Sequence, residues 1–268
     1  MQRIIWWLIA IVGAGIFGLI VYNAMRSAES PAVAQPAPPV APTPSAAPPV
    51  EPEIRHPVPG IPGEKPVPAL DTSDSTMKSA LADLSGHKDL IDVLILQGFV
   101  RRVVATIDSL PGPKVASRIM PIRRVDGKFA VSGSEGSYTI AADNAARYAK
   151  YVKFAEAVDS RKLAVFYFQY YPLFQQAYRE LGYPKGHFND RLVEVIDHLL
   201  AAPQLQDPVA LVRPKVFYLY ADPELEMCSA GQKILMRMGA EHAGRLKAKL
   251  RDIRAAIAAQ PALTDKGR

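Results

Sequence analysis

The sequence predicts a mainly α (α+β) protein: a single N-terminal transmembrane helix over residues 1–22, a disordered Pro-rich linker over 23–70, and a multi-helix globular domain over 71–268 with one small β-hairpin. Three observations carry that expectation. An uninterrupted apolar run opens the chain, fourteen of the 24 prolines fall between Pro31 and Pro68, and the remainder repeats its apolar residues at three- and four-residue steps.

The opening run, IIWWLIAIVGAGIFGLIVY (residues 4–22), has no ionisable carboxylate, amine or imidazole. Its nineteen residues are about the length needed to cross ~30 Å of hydrocarbon as a helix. Ala32-Val33-Ala34 resembles a signal-peptidase site, yet the apolar core is longer than the roughly 7 to 15 residues of a cleaved signal. Trp6, Trp7 and Tyr22 suit the two interfaces. Arg3 and the free amine on one side, against Arg26 and Glu29 on the other, favour a cytoplasmic N-terminus. The expected address is therefore the bacterial inner membrane, single-pass, with the globular domain periplasmic. Ala10, Ala14 and Gly18 give a weak small-residue motif for pairing of such helices.

Proline density then disfavours both helix and sheet interior through residue 68, which reads as a solvated spacer. Extended as polyproline II, residues 23–70 would span about 150 Å, against roughly 40 Å as a coil. The rest is long enough for one substantial core. Cys228 is the one cysteine, so no internal disulfide forms, and it reads as a small buried filler. A net charge of +6, with 32 basic and 26 acidic residues interspersed, argues against tight nucleic-acid binding. No zinc finger, phosphate loop, Gly-x-Ser-x-Gly elbow or Cys-x-x-Cys pair occurs.

Helical spacing runs through Met77, Leu81 and Leu84, then Leu90, Ile91, Leu94 and Ile95, then Phe99, Val103, Val104 and Ile107, before Leu110-Pro111-Gly112-Pro113 stops it. KFAVSGSEGSYTI predicts a hairpin, with arms at 129–131 and 138–140 around a Gly/Ser tip. Helices follow over 144–158 and 161–181, the second capped by Ser160 or Asp159, bent at Pro172 and stopped at Gly182. Tyr178 belongs to its aromatic run, which offers a sugar- or peptide-stacking groove or, more plainly, a core helix. Residues 209–220 read as extended chain that Pro214 confines to an edge or splits, with Arg213 and Lys215 as a candidate anion pair or a solvated one. Asp222-Pro223-Glu224 and the capping box Ser229 to Gln232 start two further helices, with Gly239 as a terminator. In the last helix Leu246, Leu250, Ile253 and Ile257 form a narrow stripe, fit for docking on its own domain more than on a membrane.

The most chemistry-like stretch is GHFNDRLVEVIDH, residues 186–198. At about 100° per residue, Asp190, Arg191, Glu194, Asp197 and His198 cluster opposite Leu192, Val193, Val195 and Ile196, as on a surface helix. Phe188 and Val193 fit a hydrophobic staple around an Asn189 cap. Asp190, Glu194 and His198 stack at four-residue spacing and would supply three metal ligands, but neither a His-x-x-x-His pair nor Glu-x-x-His is present, so no metal and no cofactor is expected.

The runs YYPLFQQAYRELGYP, FNDRLVEVIDHLLAAP, VALVRPKVFYLYADPELE and SAGQKILMRMG resemble an uncharacterised bacterial membrane-anchored family, domain of unknown function 3014. The likeness extends to the order of membrane helix, proline tether and domain. It implies no activity and transfers no catalytic residue. The sequence favours a non-enzymatic envelope binding or scaffold module, reaching a cell-wall or envelope protein partner. The alternative is an envelope hydrolase or lyase in which Asp190 and Glu194 converge with groups from elsewhere. A TonB-like energy-coupling tether ranks third, because residues 4–22 lack titratable chemistry. Oligomeric state is not legible.

Overall fold

Side-chain oxygens fix where several helices begin. Asp159 accepts from the backbone N–H groups of Arg161 and Lys162 at 3.0 and 2.8 Å, and Asp222 from that of Glu224 at 2.8 Å. Ser229 accepts from Gln232 N–H while the Gln232 side chain returns to Ser229 N–H, a closed capping box. Each contact satisfies amides that the first helical turn leaves without a partner.

The computed structural model describes residues 53–59, 66–85 and 92–258, all within one compact unit, Glu51–Arg268. Among these residues the chain forms nine α-helices: α1 (Asp74–Ser85), α2 (Phe99–Ser109), α3 (Ala149–Ala157), α4 (Ser160–Gln169), α5 (Tyr171–Glu180), α6 (Phe188–Leu200), α7 (Pro223–Met227), α8 (Ala230–Arg237) and α9 (Ala240–Ala258). Four short strands, β1 (Val131–Ser132), β2 (Tyr138–Ile140), β3 (Ala210–Val212) and β4 (Leu219–Tyr220), make one antiparallel sheet in chain order. The expected membrane helix at 4–22 lies outside the described residues. Among the described residues, no helix is long and apolar enough to cross a membrane.

The helices enclose the main core. α9 packs on α3, α4 and α6, and α2 on α5 and α6, burying Met77, Val100, Phe188 and Ile257 almost completely. The stripe of the last helix is thus docked on its own domain, with Leu250 and Ile253 against the core. Lys247 and Lys249 donate to the carbonyls of Ala202 and Val158. Burial holds the Lys247 ammonium below the usual lysine range.

The predicted hairpin is present, and its tip requires glycine: at Gly133, φ is +88°, and a Cβ would lie 2.3 Å from the Ser137 carbonyl oxygen. Pro214 does split residues 209–220, leaving β3 and β4 on either side, and β3 adds to the hairpin by pairing Tyr138 with Leu211. Val209, Leu211 and Tyr220 bury against Met236 of α8. Asn144, fully buried, fastens this layer: its Oδ1 accepts from Ala130 N–H at 3.1 Å and its Nδ2 donates to the Arg237 carbonyl at 2.8 Å.

Three predicted helices are corrected. Leu94 and Ile95 keep helical spacing yet lie in extended chain, bridged to Ile122 and hydrogen-bonded to Pro121. Gly98, at φ +62°, separates them from α2, and the Asp74 carboxylate accepts its N–H at 2.8 Å; Leu90 and Ile91 fall outside the described residues. The bend at Pro172 is a full break, with Tyr170 at φ −101°, ψ 9° and Pro172 in the first turn of a new helix. The proline ring excludes the carbonyl four residues back, and a second N-terminus removes that conflict. Residues 142–148 form a 3-10 helix before α3. Cys228 is half-buried at the rim of the sheet cluster, where full burial is expected from sequence; it follows the short helix α7 and its thiol lies 3.5 Å from the Glu224 carbonyl oxygen.

Candidate functional site

Helix α6 carries the residues the sequence singles out, and its first turn differs from the expected Asn cap. His187 holds the cap position and its side chain makes no capping bond. Asn189 is fully buried within the helix, its Nδ2 donating to the His56 carbonyl at 2.8 Å and, more distantly, to that of Ile257. Carbonyls of two remote segments thus take the amide that a cap would have used locally. The Phe188 N–H is satisfied instead by Gln175 Oε1 at 2.9 Å; this buried glutamine also donates to the Gly186 carbonyl at 2.7 Å and accepts from the Tyr171 hydroxyl at 2.8 Å.

Asp190 is buried, at 8% exposure, although the helical wheel directs it to solvent. What covers it is the end of the proline-rich tether. The carboxylate accepts from two successive backbone amides, His56 N–H at 2.7 Å and Arg55 N–H at 3.2 Å. With Asn189 gripping the His56 carbonyl, two adjacent side chains read three backbone groups of a bend at Arg55 and His56, immediately before Pro57. Part of the expected solvated spacer is therefore seated on the domain. Backbone amides are available in any sequence, so composition gives no hint of this.

The other charged residues on α6 are paired separately. Arg191 Nε donates to Asp108 Oδ1 at 2.9 Å, its Nη2 to the Asp108 carbonyl at 2.9 Å, and its Nη1 to Glu194 Oε1 at 3.0 Å. Tyr183 donates to the other Asp108 oxygen at 3.1 Å, and that bond raises the phenol's pKa. Arg55 approaches the far oxygen of Glu194 at 3.9 Å. His198 Nε2 meets the Ser229 hydroxyl at 2.8 Å, while Gln232 donates to the His198 carbonyl, tying α6 to the start of α8. Asp197 holds Arg254 of α9, a bond that keeps this carboxyl below the usual aspartate range.

Asp190, Glu194 and His198 share one helical face but do not converge: Asp190 takes the backbone amides of Arg55 and His56, Glu194 the Arg191 and Arg55 guanidinium groups, and His198 the Ser229 hydroxyl. Among the described residues no group of three His, Cys, Asp or Glu could hold a metal ion. Tyr178 is core: its ring stacks on Tyr183 with centroids 4.5 Å apart, and burial pushes its phenol up to about 12. Arg213 and Lys215 are both exposed, and the Arg213 guanidinium lies over the Tyr218 ring, 5.3 Å from its centroid. Sequence reasoning missed Asp108, Gln175 and the seated segment at 53–59. Asp108 alone left a signal, as a polar residue beside Ile107 and Leu110 near a helix end.

A family model described as "Protein of unknown function (DUF3014)" matches residues 99–254, more than half of the 268. The chain belongs to this family. No curated protein and no solved structure matches it. The DUF3014 span runs from the start of α2 into the last turns of α9 and holds Asn189, Asp190, Asp108 and Gln175. Arg55 and His56, the groups that Asp190 grips, precede that span.

Proposed function

We propose that this chain is a non-enzymatic, membrane-anchored module of the cell envelope, a DUF3014 domain held on a proline tether to bind or brace a wall or envelope partner. One observation carries the reading: the carboxylate best placed for catalysis, Asp190, is spent on fastening the tether to the domain. A general acid or base needs access to a substrate proton, and this one has none. Glu194 and Asp108 are likewise held by arginine. With 53–59 seated, the free spacer shortens to residues 23–52, which extend to about 90 Å as polyproline II. Residues 4–22 supply the anchor, in the inner membrane with the domain periplasmic.

Alkaline phosphatase fused after Arg268 tests the address, since it folds actively only outside the cytoplasm. Activity is the expected result, together with retention in the membrane fraction. A silent phosphatase with a fluorescent cytosolic counterpart, or a mature chain that has lost its first thirty-odd residues, overturns the proposal. Glu194→Gln and His198→Gln should leave the cellular function intact; loss of function in both, with the fold preserved, would instead favour the hydrolase reading.

A further inference from the structure

Among the described residues, two of the three most exposed large apolar side chains are neighbours in the turn between β3 and β4. Val216 is 71% exposed and Phe217 79%. All six residues from 212 to 217, Val-Arg-Pro-Lys-Val-Phe, are exposed, so two cations interleave with the apolar groups. The sheet behind them is already packed. Tyr218 meets Tyr138 edge-on with ring centroids 5.2 Å apart, and Tyr220 buries against Met236, while neither Val216 nor Phe217 joins that cluster.

Strand register separates charge along this hairpin. Leu211 pairs with Tyr220 and Val212 with Leu219, which sets Asp207 and Asp222 at the open end and Arg213 and Lys215 at the turn. No acidic residue lies between those two aspartates. The β1–β2 turn lies at the same end of the sheet, because β2 runs antiparallel to both β1 and β3. It contributes one acid, Glu135, among glycines and serines too small to stand proud of the phenylalanine.

Size and charge together choose the occupant. Val216 and Phe217 offer on the order of 250 Å² of apolar surface, about a third of what each partner buries in a standard protein interface. A bilayer asks for less. Apolar side chains need enter only the ~5–10 Å boundary between headgroups and acyl chains, while flanking cations meet the lipid phosphates. The geometry points to the β3–β4 turn as a docking tip for an anionic phospholipid surface, with Phe217 and Val216 entering it and Arg213 and Lys215 binding its phosphates. This goes beyond the proposed tethering and needs only the folded domain.

The test places the full chain in phosphatidylcholine nanodiscs through residues 4–22 and adds sucrose-loaded vesicles, which sediment with whatever binds them. Vesicles with about one third phosphatidylglycerol should bind the chain at least fivefold better than pure phosphatidylcholine, and salt near ~0.5 M should weaken that binding. Phe217→Ser should weaken it about tenfold or more, the worth of one apolar side chain leaving water. Lys215→Gln should cost about fivefold, and Glu135→Gln should tighten binding. Val165→Ser, at a valine 60% exposed on α4, should change nothing. Circular dichroism confirms the fold of each variant. Equal binding to neutral vesicles, an unchanged Phe217→Ser, or an equal loss in Val165→Ser would each overturn the proposal. Binding to neither vesicle would hand the tip to a protein partner and overturn it as well. A chain that stays out of the discs counts against the anchor alone, and meets the same vesicles without discs under the same expectations.

Discussion

Replacing Asp190 by alanine should release residues 53–59 while leaving the helical core folded. The carboxylate accepts from His56 N–H at 2.7 Å, within the range of charge-assisted bonds, and from Arg55 N–H at 3.2 Å, at the outer limit of an ordinary one. Crediting about 2 kcal/mol to the short bond and about 1 to the long one gives about 3 kcal/mol. That corresponds to a shift of about a hundredfold in the opening equilibrium of the segment. The Asn189 amide still holds the His56 carbonyl, so the observed change should fall between about tenfold and a hundredfold. Trypsin reads this directly, because the bond after Arg55 lies between the two gripped amides. Where opening is fast relative to cleavage, the cutting rate follows the open population. The expected result is a Arg55–His56 cleavage rate raised at least tenfold in Asp190→Ala, with faster amide exchange confined to 53–59. A cleavage rate equal to the parent's would show that the carboxylate does not hold the segment.

Ser229→Ala removes the cap of α8 and the partner of His198, so it should cost about 1 to 2 kcal/mol, or about 2 to 8 °C in Tm for a domain of this size; thermal unfolding followed by circular dichroism checks this. Gly231→Ala should be worse than its helix propensity suggests. Its Cβ would meet Leu199 Cδ2 at 2.6 Å and the Leu110 backbone oxygen at 3.1 Å, costing about 1 to 3 kcal/mol in chemical denaturation. On the acid side, Asp197 has a pKa depressed by Arg254, so its contribution is complete above the unfolded value near ~3.9 and vanishes as pH falls through the folded one. Because the pair is half-exposed, the effect should be small and salt-sensitive, and Arg254→Ala should remove it from acid titrations of stability. On the alkaline side, burial pushes Tyr220 up to about 12, so the neutral phenol stabilises the fold fully below about pH 10 and ceases to as pH rises through 12. Tyr220→Phe should flatten that part of the alkaline unfolding curve.

Local chemistry was the legible part of this fold. Asp159, Asp222 and the Ser229–Gln232 box act within three residues of themselves, so their roles follow from adjacent sequence. The docked stripe of α9 is legible for a similar reason, since 3.6-residue periodicity is a property of one segment. Pairings between remote segments left no trace. The second partner of β2, β3, lies about seventy residues downstream, and nothing near Tyr138 names Leu211. Leu94 and Ile95 show why period can mislead: five apolar residues in the six from 90 to 95 fit a helix or a buried extended strand equally well.

The candidate site failed in one informative direction. A helical wheel gives the azimuth of Asp190 but is silent on what lies over that azimuth, and here it is covered by the chain's own segment at 55–56. The partners that keep Asp190 and Glu194 apart from His198 come from distant regions: Arg55 and His56 hold the first, Arg55 also approaches the second, and Ser229 takes His198.

The gripped segment also decides how the molecule would carry load. Tension arriving from upstream meets Asn189 and Asp190 before it can reach α1, which begins at Asp74. It is delivered to α6, the helix wedged against α2, α5, α8 and α9. Leu70 and Ser73, both buried just ahead of α1, add a second hold, so the first helix is shielded from peeling. A pull strong enough to break the grip would lengthen the leash before it unfolded anything.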